Sequence, residues 1–219
     1  MTTGRPVKPL HWASRVFMGG LAILSALSVW TAFQYGVADL RQLAPRARLM
    51  QWQFTDARKV SWGDLSAVRH ELAGVLATTP SDPFLHESLA GLYGRRAELL
   101  NGLPKVSAEM LDAAIEHYRM AVVARPMSPY AWANLALALS YRKGVTPEMW
   151  DAFERAARYG SRERLVQRII AGIGFQYWDQ ASMRQRVLLV QVVRDALPAN
   201  QADLMAIARQ YGHQDVLAP

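Results

Sequence analysis

The pattern of apolar and polar positions divides the chain into two unequal parts. From Val16 to Ala38, 23 consecutive positions carry no charged side chain. At ~1.5 Å rise per residue a helix of that length crosses the ~30 Å hydrocarbon core of a bilayer. Beyond it, apolar residues recur at three- and four-residue spacing, with almost no alternating β-branched runs, which predicts an all-α chain. The pattern places helices at about 17–43, 46–59, 62–78, 83–100, 108–125, 129–142, 147–159, 162–177, 181–197 and 201–211. Several starts are marked chemically. Asp82-Pro83, Ser128-Pro129 and Thr146-Pro147 each set a capping oxygen before a proline at the first helical position, and Gly144 and Gly160 fall where helices stop.

The flanks of the apolar stretch describe a signal anchor. Arg5, Lys8 and Arg15 precede it, and Trp12, Phe17, Trp30, Phe33 and Tyr35 stand near its two ends, where amphipathic rings favour the headgroup region. The expected organisation is a basic cytoplasmic tail (1–15), a transmembrane helix (16–38), a juxtamembrane helix or linker (39–61) and a helical domain on the far side of the membrane. In a two-membrane bacterium that is a single-pass inner-membrane protein with a periplasmic domain. Two features leave alternatives open: Gly36-Val37-Ala38 before Asp39 also fits a processing site, and Arg41, Arg46 and Arg48 reduce the charge asymmetry that sets orientation.

Charge changes the picture little. Of 25 Lys and Arg, three lie in the tail; the other 22 face 18 Asp and Glu, so the remainder carries only about +4. No nucleic-acid partner is expected from so small an excess. The chain has no cysteine, which excludes a disulfide framework, a thiolate metal site and a Cys nucleophile.

Two junctions are near copies: Thr79-Pro80-Ser81-Asp82-Pro83-Phe84 and Arg125-Pro126-Met127-Ser128-Pro129-Tyr130. Ala114, Tyr118, Ala121 and Pro126 sit at small, aromatic, small and proline positions of a second helix and its turn. Trp132, Leu135, Ala136 and Leu139 match the first helix of a following unit, which Phe153 and Ala156 continue after a one-residue insertion. Leu89, Ala90 and Tyr93 fit an earlier first helix, and Leu72, Val75 and Pro80 close the unit before it. Over residues 62–160 the chain resembles a tetratricopeptide repeat array. It departs from that pattern in having Ala at 90 and 136 where glycine is expected, and about a dozen extra residues around 96–106. The resemblance implies stacked antiparallel helical hairpins, a TPR-like α-solenoid, capped by non-repeat helices over 161–219.

No catalytic chemistry is spelled out. His11, His70, His86, His117 and His213 form no H-E-x-x-H and no pair one helical turn apart, so no metal or other cofactor is expected. The three histidines beside glutamates, 70, 86 and 117, read as polar surface. Gly172-Ile173-Gly174 follows no strand and reads as close helix approach rather than a phosphate loop. What the resemblance implies instead is a concave face for partner proteins, with Phe84, Glu87, Gly91 and Arg95 from one unit and Tyr130, Ala133, Asn134, Leu137 and Tyr141 from the next. Asn134 resembles the asparagine with which some members hold a peptide, but the lysines of a carboxylate clamp are missing. The expected function is a non-catalytic, membrane-anchored scaffold, similar in layout to accessory proteins of bacterial exopolysaccharide synthesis or export. Alternatives are an assembly factor for secretion, pilus or cytochrome machinery, or a glycan-binding module or enzyme using Trp52, Trp62, Trp150 and Trp178, which exposure on a common face would favour.

Overall fold

The computed structural model describes residues 11–53, 60–100 and 102–217, and among these the regular structure is entirely helical. Nine α-helices follow in order: α1 (His11–Gln53), α2 (Trp62–Leu76), α3 (Pro83–Leu99), α4 (Pro104–Ala124), α5 (Pro129–Lys143), α6 (Pro147–Tyr159), α7 (Arg164–Gln176), α8 (Met183–Arg194) and α9 (Pro198–Gln210). Short 3-10 turns occupy Trp178–Gln180 and Gln214–Leu217.

The largest departure from the expected elements is α1. The sequence suggests a break between helices at 17–43 and 46–59, because proline lacks an N–H and its ring crowds the preceding turn. Instead α1 runs through Pro45 without interruption to Gln53, and the last six positions of the expected second helix lie outside the described residues. The reason is packing. Ala38, Gln42, Pro45, Leu49 and Trp52, at alternating four- and three-residue spacing, are buried or half-buried. Ala38, Leu49 and Trp52 join a core with Leu65, Val68, Leu72 and Val75 of α2 and Leu85, Leu89 and Leu92 of α3. Burial of one such side chain contributes about 1.5–3 kcal/mol, so a few of them offset the ~3 kcal/mol of an interior proline. Arg48 reaches Glu71 of α2 at 2.7 Å. By contrast, the segment from Ser14 to Phe33 is exposed throughout and is long and apolar enough to cross a membrane.

The capped starts form as expected. The Asp82 carboxylate accepts from the Phe84 and Leu85 amides, Ser128 from Ala131 and Thr146 from Met149, at 2.9–3.4 Å. Helices α4 and α9 begin earlier than apolar periodicity suggests, at Pro104 and Pro198, each after a leucine that offers no capping oxygen. The extra segment 96–106 is thus divided between the end of α3, the turn and the start of α4, and the Ser107 hydroxyl donates to the Ala97 carbonyl across that turn.

The most extensive contacts join successive helices, α3 with α4 and α5 with α6, and α4 packs on α5 between them. Their interfaces are rich in alanine: Ala90, Ala114, Ala121, Ala131, Ala133, Ala136, Ala152 and Ala156 are all fully buried. Helices α7 to α9 continue this core, adding Val166, Ile170, Phe175, Leu189 and Leu204, so the C-terminal helices share it rather than forming a separate layer.

Two glycines hold close approaches. A Cβ at Gly160 would lie 2.6 Å from Pro129 Cβ and 2.9 Å from Val166 Cγ1, and one at Gly174 would lie 2.6 Å from Leu189 Cδ2 and 3.2 Å from its Cγ. Gly172, two residues away, has open space around it. Gly174→Ala should therefore destabilise the protein by about 1–3 kcal/mol through overpacking, whereas Gly172→Ala should be neutral or stabilising by up to ~1 kcal/mol from helix propensity. Chemical denaturation of the two variants side by side checks this; equal effects would contradict the packing at Gly174.

Candidate functional site

A polar-lined groove of about 590 Å³ lies between the last described turns of α1 and the faces of α3, α4 and α5. Helix α1 supplies Arg46, Leu49, Met50 and Trp52. Helix α3 supplies Phe84, Glu87, Ser88, Gly91, Leu92 and Arg95; Tyr118 comes from α4, Tyr130 and Asn134 from α5, and Leu165 from α7. Six of the residues named from sequence, Phe84, Glu87, Gly91, Arg95, Tyr130 and Asn134, thus line one groove. Leu137 and Tyr141 do not. Leu137 packs against the main core. Tyr141 is 68% exposed; eleven residues at 1.5 Å put it about 16 Å along α5 from Tyr130, past the groove. Ala133 is fully buried and faces the core instead.

Each wall has a defined reason for its position. In the last described turn of α1 the Trp52 carbonyl accepts from the Arg95 guanidinium at 2.9 Å. This ties that turn to α3 and closes the groove on that side. Phe84, half exposed, lies under two cations: the guanidinium carbons of Arg125 and Arg46 stand 4.3 and 5.2 Å from its ring centre. Glu87 is held by Arg125 at 3.7 Å and by the Ser128 hydroxyl, which donates to it at 3.4 Å. Burial raises the Glu87 carboxyl above the usual carboxylate value, against the lowering effects of Arg125 and Ser128. The Tyr130 hydroxyl donates to Glu163 at 2.5 Å, which pushes the phenol pKa up.

Tyr118, at the aromatic position of its helix in the repeat pattern, is a core residue that also reaches the groove. Only 8% of it is exposed, and burial, reinforced by Glu87, holds its phenol well above the ordinary value, so it remains a proton donor. Yet that hydroxyl lines the groove and has no hydrogen-bond partner among the described residues. The Asn134 side chain is in the same position. Two hydrogen-bonding groups are thus available to a ligand in the groove. Arg46, Leu49 and Met50 were not singled out from sequence, and Trp52 was named only for a glycan site.

The histidines are the clearest correction to the sequence reading. His86 is buried, and its Nδ1 lies 2.9 Å from Nδ1 of His117, while its Nε2 is 2.9 Å from the Pro80 carbonyl. Because a carbonyl only accepts, His86 carries its proton on Nε2 and accepts at Nδ1 from His117. The His117 ring in turn stacks on Tyr93, 5.6 Å between centres. Adjacent glutamates do not draw these rings to the surface, since neighbouring helical positions point about 100° apart. Only His70 is exposed.

No protein-family model matches this chain, and no curated protein matches it in sequence.

The four tryptophans are engaged at separate places. Trp150 is buried edge-on against Phe153, Trp62 lies under Arg96, and Trp178 stacks with Phe175 and His213. Trp52 lines the groove. A second, more apolar cavity of about 570 Å³ lies along α8, beside Trp178, Val187, Val190 and Val216.

The histidine pair sets a pH dependence. Burial, then the neighbouring His86, lower the His117 pKa below its ordinary 6.5, against a smaller raising effect of Glu116. The unfolded chain therefore takes up this proton at higher pH than the folded one. Its contribution to stability is complete above about pH 6.5 and declines as pH falls through that value toward the lowered folded pKa. The melting temperature should fall on acidification from pH 7 to 5, and less steeply in His117→Gln, whose amide can still donate to His86; parallel curves would rule out this pair as the cause.

Proposed function

We propose that this protein is a non-catalytic, single-span membrane scaffold whose groove binds a polypeptide segment of a partner in a bacterial envelope machine. The observation that carries the reading is the groove itself. It sets the unspent donor of Tyr118 and the amide of Asn134 beside the apolar walls Leu49, Met50, Phe84 and Leu165. An extended peptide offers what those groups lack: backbone carbonyls and amides in a row, with side chains alternating to either side.

The anchor gives the binding its mechanism. A groove held in the membrane plane meets membrane-bound partners at a high effective concentration, so modest affinity suffices. In this reading the basic tail stays in the cytoplasm and the helical domain faces the periplasm. Helices α2 to α6 then act as tetratricopeptide-like hairpins, in line with the alanine-rich contacts of α3 with α4 and α5 with α6. The machine most in keeping with this layout is one for exopolysaccharide synthesis or export.

Gly91 provides a clean test, because a Cβ there meets only the Tyr118 hydroxyl, at 4.0 Å. A large side chain would fill the groove while leaving the core intact. With a photo-cross-linking amino acid at Ser88, inside the groove, the protein in native membranes should form an adduct with a partner protein that Gly91→Trp abolishes. The same amino acid at Tyr141, outside the groove, should not give that adduct. An adduct that survives Gly91→Trp, or that forms equally from position 141, would overturn the groove as the binding site.

A further inference from the structure

Two guanidiniums stand over Phe84, Arg46 from α1 and Arg125 at the end of α4, and Arg95, further along α3, lines the same groove beside Trp52. Arg125 is paired with the half-buried Glu87 at 3.7 Å. Arg46 and Arg95 have no carboxylate within ion-pair distance among the described residues. Arg46 is spent only on the face of Phe84, and Arg95 uses one of its five N–H donors on the Trp52 carbonyl. Two like charges, Arg46 and Arg125, are thus held over a single ring, 5.2 and 4.3 Å from its centre. Glu87 answers Arg125, which leaves Arg46 as the cation over that ring with no carboxylate among the described residues. On the opposite side, Tyr118 and Asn134 present hydrogen-bonding groups with no partner, and Leu49 and Met50 add apolar wall.

From this charge pattern we infer that the groove selects an acidic polypeptide segment, one whose Asp or Glu side chains pair with Arg46 and Arg95 while apolar side chains rest on Leu49 and Met50. The inference builds on the proposed polypeptide-binding role and specifies the partner's chemistry. Lipid headgroups carry the same negative charge but stand in the wrong place. Arg46 lies eight residues beyond Ala38, about 12 Å along the helix, whereas the headgroup layer extends only ~5–7 Å past the hydrocarbon core. Arginine also suits carboxylates, since its planar fork can donate to both oxygens at once.

The test uses the full chain in nanodiscs of zwitterionic lipid and two fluorescein-labelled dodecapeptides. One combines Glu, Leu and Ser; the other has Lys in place of Glu. By fluorescence anisotropy the Glu peptide should bind saturably, weaken as salt is raised, and lose at least tenfold in affinity in Arg46→Gln/Arg95→Gln, while the Lys peptide should not bind. Because Arg95 also ties down α1, the single variant Arg46→Gln is measured alongside and should lose severalfold affinity with an unchanged melting temperature. If both peptides bind alike and Gly91→Trp removes both, the groove accepts polypeptides without regard to charge and the acidic assignment fails. If neither binds while the Ser88 adduct persists in native membranes, the assignment also fails but the polypeptide role stands. Loss of that adduct as well would overturn both. Arginine-dependent binding to phosphatidylglycerol vesicles without binding of the Glu peptide would identify the anion as a headgroup and overturn the proposal.

Discussion

The hydrogen bond from Arg95 to the Trp52 carbonyl is the contact on which the arrangement of the rest depends. A backbone carbonyl has two lone pairs, so one can accept from a cation as well as from the helix's own amides. The bond crosses from α3 to the last described turn of α1 and fixes that turn against the domain. The Ala38–Trp52 stripe then aligns the rest of that half-helix along α2 and α3. The consequence is an uninterrupted helical element that begins as bare apolar surface and ends as one wall of a groove.

The remainder of the domain follows from a different constraint, the close approach of helices through small side chains. Buried alanines along α3 to α6 bring backbones together, and large residues fill the gaps: Tyr118 and Ile115 on α4, Trp150 and Phe153 on α6. Glycine does the same at two sites where even a methyl group would collide. Such packing leaves little room for polar groups, and several of the few that are buried meet in specific pairs. His86 with His117 is one, and Gln167, which accepts from Asn200 and donates to the Ser161 carbonyl, is another. Against that background the unpartnered Tyr118 hydroxyl stands out, because the hydroxyl of a residue in a core position is turned toward solvent-accessible space.

Much of the helical layout was legible in the sequence because its signals are local. Capping by Asp82, Ser128 and Thr146 needs only a side chain and an amide two or three residues away, so the starts of α3, α5 and α6 could be read directly. At Pro104 and Pro198 the residue before the proline is a leucine with no capping oxygen, and the expected starts fell three or four residues late. The groove was legible in part for a related reason. Phe84, Glu87 and Arg95 share a stripe on α3, as do Tyr130 and Asn134 on α5, and helical spacing alone groups each set. Extending the second stripe to Leu137 and Tyr141 failed because spacing defines a face but not how much of its length another element covers.

By itself, then, the sequence determined the membrane-length apolar helix, the all-helical character of the chain and most helix boundaries, since each depends on residues within a few positions of one another. Tertiary structure alone decided three things. It carried α1 through Pro45, because the side chains that offset the lost hydrogen bond belong to α2 and α3. It joined His86 to His117, 31 positions apart, into one buried pair. And it placed Arg46 and Trp52 opposite Glu87, Arg95 and Tyr118. All three are contacts between distant segments, and the energy that selects them comes from burying shared surface, which no local spacing encodes.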